Sequence, residues 1–171
     1  MQEKHIELPI ARELTCDILV AGGGVSGLAA AVRAAQRGAR VILADRNGCL
    51  GGTATSGLVG PFMSAMDPSG QRQVIRGFME TFIRRMAAEG GAIHPSACSG
   101  GDGYSAFRTK GHIGVTPFSS ESFKLVAEEM CAESGVKLLY HALLIRAETD
   151  GGIVKTAYFA TKGGAYAIHA K

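Results

Sequence analysis

The spacing of apolar residues changes period several times along this chain. Residues 16–21 are apolar except for Asp17 and read as one buried strand. From Val25 the period lengthens: Val25, Leu28, Ala29 and Val32 recur at helical spacing, predicting a helix over residues 25–37 that Gly38 stops. Residues 40–44 return to a strand pattern, closed by Asp45. Val74, Ile75, Phe78, Met79, Phe82, Ile83 and Met86 form the apolar stripe of a second helix over 73–89, ended by Gly90-Gly91. Ser119 or Ser120 caps a third helix with Glu121 in its first turn, burying Phe123, Val126, Ala127 and Met130 and stopping at Gly135. A third strand follows at 136–140. Strands at 143–149, 153–160 and 165–170, joined at Asp150-Gly151-Gly152 and Lys162-Gly163-Gly164, then form an antiparallel three-stranded meander.

The rest of the chain is less regular. In the lead-in, Ile6, Leu8 and Ile10 alternate with Glu7 and Pro9, which suits an extended edge segment. Residues 46–60 are glycine-rich, and Asp67-Pro68-Ser69-Gly70 reads as a surface turn. Residues 90–118 form a long Gly- and Ser-rich loop carrying His94, Tyr104, Arg108, Lys110 and His112. Loops of that length are often functional or disordered.

Composition narrows the function classes. The 171 residues, 46% of them hydrophobic, can bury a core. The 24 glycines exceed the roughly 7% usual share, yet cluster at turns without a repeat. A net charge of +3, with no basic run interleaved with aromatics, gives nucleic acid binding little support. Cys16, Cys49, Cys98 and Cys131 are widely spaced with no C-x-x-C pair, which suits reduced thiols in a cytoplasmic protein better than a metal site or disulfides. The polar start, Met1 to His5, leads into no apolar signal region, and no apolar run is long enough for a membrane span.

The chemistry concentrates between the first two strands. Gly22-Gly23-Gly24-Val25-Ser26-Gly27 fits G-x-G-x-x-G, directly after a strand and opening a helix. Gly22 permits the tight turn, Gly24 lets a pyrophosphate approach the backbone, and Gly27 lets the helix lie close to the sheet. A branched side chain at Gly24 is expected both to collide with the phosphates and to strain the turn. The helix N-terminus supplies free N–H groups and partial positive charge. Asp45 closes the second strand about 20 residues after the first glycine, where a carboxylate takes a ribose hydroxyl. This combination reads as a dinucleotide site.

Three features favour a flavin dinucleotide over a nicotinamide one. The interval from Asp45 to Val136 is long enough for a substrate-facing insertion. Gly51-Gly52-Thr53 offers a second surface bare of bulky side chains just after the acid, and a meander follows the third strand. Here the chain resembles the FAD-dependent oxidoreductases of the glutathione-reductase-like superfamily, near the succinate dehydrogenase and fumarate reductase flavoproteins. The resemblance rests on residues 17–24, 48–55, 57–63 and 115–118, and covers nearly the whole chain.

That resemblance implies an α/β fold: a Rossmann-like FAD-binding domain with a parallel sheet plus an antiparallel three-stranded β-meander, incomplete at the C-terminus. Residues 1–171 would be its N-terminal part, with the βαβ unit and second glycine motif in 1–60, a helix and loop insertion in 61–118, and helix, third strand and meander in 119–171. It implies that Gly22, Gly24, Val25, Ser26 and Gly27 hold the FAD pyrophosphate. Asp45 would take the adenosine ribose, Arg46 would lie beside the adenine, and the Leu144 backbone would meet the adenine edge. Gly51, Gly52 and Thr53 would contact the pyrophosphate and ribityl region, with Thr55 nearer the flavin. Many relatives carry Glu where this chain has Asp45; Asp accepts the same hydrogen bonds.

Relatives continue past the meander with a strand and a Gly-Asp motif, so a further C-terminal portion or a second polypeptide is expected to complete the fold. The expected function is hydride transfer through flavin N5 to or from a small-molecule substrate. A nicotinamide-dependent dehydrogenase, or a non-catalytic nucleotide-binding subunit of a split enzyme, are the alternatives. No catalytic residue is assigned. Cys49 reads better as a small buried hydrophobe in a tight turn than as a redox thiol. His112, Arg108 and Lys110 could bind an anionic substrate, though ordinary solvated loop charges explain them better. His94 and His141 read as structural.

Overall fold

A computed structural model describes residues 7–63, 65–67, 71–97 and 115–171. Met1 to Ile6, the turn residues Pro68, Ser69 and Gly70, and Cys98, Tyr104, Arg108, Lys110 and His112 lie outside the described residues. The chain forms two compact units, Met1–Leu50 with Cys131–Lys171, and Gly51–Met130.

The first unit contains β1 (Ile10–Cys16), β2 (Ile18–Ala21), α1 (Val25–Ala35), β3 (Val41–Ala44), β4 (Lys137–Leu139), β5 (Leu143–Asp150), β6 (Ile153–Thr161) and β7 (Gly164–Ala170). They build two sheets, a parallel one in the order β2-β3-β4 and a mixed one in the order β1-β7-β6-β5. Central β3 is buried along its whole length, which matches its unbroken Val-Ile-Leu-Ala sequence. Cys16, Ile42, Ala44, Ala142, Ala157, Phe159 and Ile168 form one cluster to which both sheets contribute. Leu28, Ala31, Val32 and Ala35 are the buried residues of α1. Burying Leu28 and Val32 stabilises the unit by about 1.5–3 kcal/mol each.

The single strand expected over 16–21 is two strands. Asp17 divides them: Cys16 pairs with Ala170 in β7, whereas Ile18 pairs with Val41 in β3. The amides of Asp17 and Ile18 both donate to the Arg40 carbonyl, at 2.9 and 3.2 Å. The Asp17 carboxylate accepts from Arg40 Nε and Nη2, each at 3.1 Å, and pairs with Lys171 Nζ at 2.8 Å. The polar residue inside the apolar run is thus the point where the chain changes sheets. β2 then lies at an edge of its sheet, and Ile18 is 41% exposed rather than buried.

The meander is antiparallel as its turns predict, with Gly151 and Gly152 at φ 56° and 79°. Positive φ at both central residues suits a two-residue hairpin turn whose twist matches its strands. The sheet has four strands, not three, because β1 joins β7 in parallel. The lead-in is therefore the extended edge segment its alternation suggests, displaced to Ile10–Cys16.

The second unit holds α2 (Phe78–Ala88) and most of α3 (Ser120–Ser134). The helix expected from residue 73 begins five residues late, at Phe78. Gly77 sits at φ 74° and ψ −124°, outside any helix, and Gln73 bridges Met66 instead. Val74 and Ile75 consequently stand 54% and 42% exposed. Phe82, Ile83 and Met86 are buried as the stripe requires, and Phe82 lies 4.6 Å from Phe123 of α3 between ring centroids. In α3, Phe123, Val126, Ala127 and Met130 are all buried. Ser119 is its cap, its Oγ accepting from the Ser122 amide at 3.4 Å. Of the loop over 90–118, His94 packs against α2, its Nε2 3.0 Å from Glu80 Oε1 and its Nδ1 2.7 Å from Ser96 Oγ. Burial raises the Glu80 carboxyl, but the Gln73, His94 and Arg84 side chains outweigh it and hold the group below the usual range. Among the described residues, no helix is long and apolar enough to cross a membrane.

Candidate functional site

In the first unit, β2 runs directly into the turn Gly22-Gly23-Gly24, from which α1 starts. Gly22 has φ +115°, so this is the turn position that demands glycine. A Cβ on Gly27 would lie 1.8 Å from the Gly22 carbonyl oxygen, so only glycine allows α1 to approach the turn this closely. Gly24 differs. Its φ is −65°, and a Cβ placed there would meet no protein atom within 4 Å. The strain expected of a side chain at Gly24 is absent; the position opens into space a ligand can use.

Gly24 caps α1 without a side-chain bond, and the first turn of α1 carries no acid. In contrast, α2 and α3 have Glu80 and Glu121 in their first turns. The partial positive charge at the start of α1 is therefore left for an external anion. Val25 and Ser26 are exposed beside it.

Asp45, at the end of β3, is only 6% exposed, and every polar group it carries is engaged. Its Oδ2 accepts from the Gly23 amide at 2.6 Å, and its Oδ1 from the Asn47 amide at 2.7 Å. Its own amide donates to the Leu139 carbonyl, and its carbonyl accepts from the Ala142 amide, both at 2.9 Å. A carboxylate offers about four acceptor positions. Two are used internally and two remain.

Asp45 lines a cavity of about 200 Å³ together with Gly22, Arg46, Leu143, Leu144 and Phe159. The structure thus gathers Gly22, Asp45, Arg46 and Leu144 around one space. Sequence reasoning missed Gly23, whose amide orients the carboxylate and whose absent Cβ would fall 2.6 Å from Leu50 Cδ2. It also missed Asn47, although an Asp bonding the amide two residues on is a recognisable turn. Phe159, the buried aromatic of the cavity, is legible only once β6 is placed over it.

In the second unit, Gly51 has φ +103° and Gly52, φ 54°, opens a single 3₁₀ turn, Gly52–Ala54. Thr53 is exposed there. Thr55 is 1% exposed, its side chain lying against Gly51. Cys49 is half-buried rather than buried, while Cys16 and Cys131 are buried. Burial pushes the Cys16 thiol up, which leaves it inert. Among the described residues no group of three or more His, Cys, Asp or Glu is placed to hold a metal.

Known proteins share family and fold with this chain. The family described as FAD dependent oxidoreductase matches residues 17–171. The 4-oxocyclohex-2-ene-1-carboxylate 5-dehydrogenase of Sinomonas cyclohexanicum is 45% identical over 42 residues, 25% of this chain and 7% of that protein. A geranylgeranyl bacteriochlorophyll reductase-like protein from Thermoplasma acidophilum superposes with a TM-score of 0.58 at 17% identity, over 93% of this chain and 38% of its own. The 3-ketosteroid-delta4-(5alpha)-dehydrogenase of Rhodococcus jostii gives 0.56 at 18% identity, over 92% and 44%. A flavocytochrome c3 fumarate reductase gives 0.55 at 18% identity, over 92% and 32%. At these identities the solved structures share the fold, and this chain spans less than half the length of each.

Proposed function

Because the chain belongs to the FAD dependent oxidoreductase family, whose cofactor is FAD, we propose that it is the FAD-binding part of an enzyme that moves hydride to or from a small molecule. The observation that carries this reading is the Asp45 carboxylate, fixed by two backbone amides and facing a cavity shared with Gly22, Arg46 and Leu144.

When bound, the flavin supplies the redox chemistry through N5. The chain's residues hold it. The start of α1 with Gly22, Gly24, Val25, Ser26 and Gly27 receives the pyrophosphate. Asp45 accepts from the adenosine ribose hydroxyls with its two remaining acceptor positions, which fixes the cofactor's direction. Arg46 and Leu144 border the adenine, and the buried Phe159 gives its cavity an apolar wall. Gly51, Gly52, Thr53 and Thr55 serve the ribityl and flavin end. The same arrangement keeps water away from the Asp45 carboxylate, which strengthens its hydrogen bonds.

The test is to purify the protein within its full-length chain, denature it and identify the released cofactor by chromatography. FAD is expected. FMN would leave Asp45 without an adenosine ribose, and a nicotinamide nucleotide would favour a dehydrogenase of the other kind.

A further inference from the structure

The second unit contains a cavity of its own, of about 370 Å³, which shares no residue with the cavity beside Asp45. We propose that it binds the small molecule on which the enzyme acts, and that this molecule is a carbocyclic compound bearing a hydroxyl or carbonyl oxygen. The inference rests on the oxidoreductase reading for the word substrate, but not for the binding itself.

The walls argue for the chemistry. Leu58, Pro61, Pro117 and Phe118 are apolar, Ala54 contributes a methyl, and among the described residues the only side-chain hydrogen-bonding group is the hydroxyl of Ser120. Among the described residues no charged side chain lines the space. A hydroxyl or carbonyl oxygen can pair with Ser120.

The Phe118 wall is fixed before any ligand arrives. Its ring stacks on Phe62 at 4.5 Å and lies 5.8 Å from Phe123. Paired amides join Phe62 and Thr116, at 2.9 and 2.8 Å, and hold the two segments together. Gly60 borders the ring, and a Cβ there would sit in ordinary contact with it, at 3.5 Å. A fixed aromatic wall favours a ring over a flexible chain. The volume lies near the lower end of the roughly 300–1,000 Å³ of small-molecule sites, which suits one or two rings.

Leu58 supplies an independent sign. It holds φ 53°, a conformation unfavourable for any residue with a Cβ, and is nevertheless 79% exposed. Its backbone holds an unfavourable conformation without its side chain gaining burial. A ring seated in the cavity would cover it.

The probe is 4-fluorophenol, followed by fluorine NMR on the FAD-loaded full-length protein. Saturable binding is expected. Ser120→Phe, which fills the cavity from its rim, should abolish it. Leu58→Gly, which removes a wall while suiting the left-handed backbone, should weaken it at least tenfold without lowering the thermal midpoint. FAD content should stay unchanged in both. Identical titrations for wild type and Ser120→Phe would overturn the proposal. So would a Ser120→Phe protein that loses FAD while the phenol titration persists, because the cavity would then belong to the flavin ring. If the protein carries no FAD at all, the oxidoreductase reading fails, and the same titrations on the FAD-free chain still decide whether the cavity binds rings.

Discussion

The Gly23 amide and the Asp45 Oδ2 atom meet at 2.6 Å across the mouth of the parallel sheet, joining the turn after β2 to the end of β3. With Asn47 on Oδ1, this makes the carboxylate part of the backbone scaffold as well as a group offered to a ribose. Its removal therefore has two effects. We expect Asp45→Ala to weaken FAD binding tenfold to a hundredfold, from lost charge-assisted bonds of about 1.5–3 kcal/mol. It should also destabilise the cofactor-free protein by about 2–4 kcal/mol, because two amides lose their acceptor. Equilibrium urea unfolding without FAD separates the effects: an unchanged midpoint would show that the carboxylate serves only the ligand.

Gly24→Val should have the opposite profile. The backbone there tolerates a side chain, and the cost to the cap of α1 is about 1 kcal/mol. The side chain would occupy the space before the helix N-terminus. The expected product is a folded, colourless protein, and a fully yellow one would place the phosphates elsewhere.

Gly27→Ala tests packing against propensity. Alanine in a helix is worth about 1 kcal/mol over glycine, so local preference alone would raise stability. The Gly22 carbonyl, 1.8 Å from the new methyl, reverses the sign. We expect a net loss of about 1–3 kcal/mol, the cost of overpacking, read from the thermal or urea midpoint. A stabilised variant would mean that α1 can move away from the turn freely.

The polar break in the first apolar run also has a pH signature. Arg40, with Lys171, holds the Asp17 carboxyl below the usual range. A depressed value in the folded protein means a contribution that is complete above the unfolded value of about 3.9 and fades as pH falls below it. The ion pair is solvent-facing, so the effect should be small and weaken with salt. Between pH 5 and pH 3, Asp17→Asn should lose less stability than wild type at low ionic strength. Equal losses would show that Asp17 is not linked to folding.

These residues also show what the sequence could and could not reveal. The glycine turn, α1, β3 and Asp45 were legible because each is a local pattern: period, breaker and spacing within one βαβ unit. The two ends of the apolar run over 16–21 were not separable, because hydrophobicity does not say which sheet a strand joins; only the partners Ala170 and Val41 do. The start of α2 was misplaced because the apolar period continued through Val74 and Ile75, while the deciding fact was the backbone of Gly77. The grip of Gly23 on Asp45 depends on two segments being brought together, which no window along the chain contains.

Central β3 has one neighbour close in sequence and one far away. β2 precedes it across a single helix, whereas β4 begins only at Lys137. A chain growing from the ribosome therefore presents β3 with one flank paired and the other bare until the whole Gly51–Met130 unit has emerged. Ile42, Leu43 and Ala44, which end up buried, must wait through that interval beside an open strand edge. The acceptors and donors that complete Asp45, at Leu139 and Ala142, arrive in the same late stretch. A nascent chain halted before Leu139 therefore has the glycine turn and the two amides that hold the Asp45 carboxylate, at Gly23 and Asn47, while the main chain of Asp45 still lacks both of its own partners.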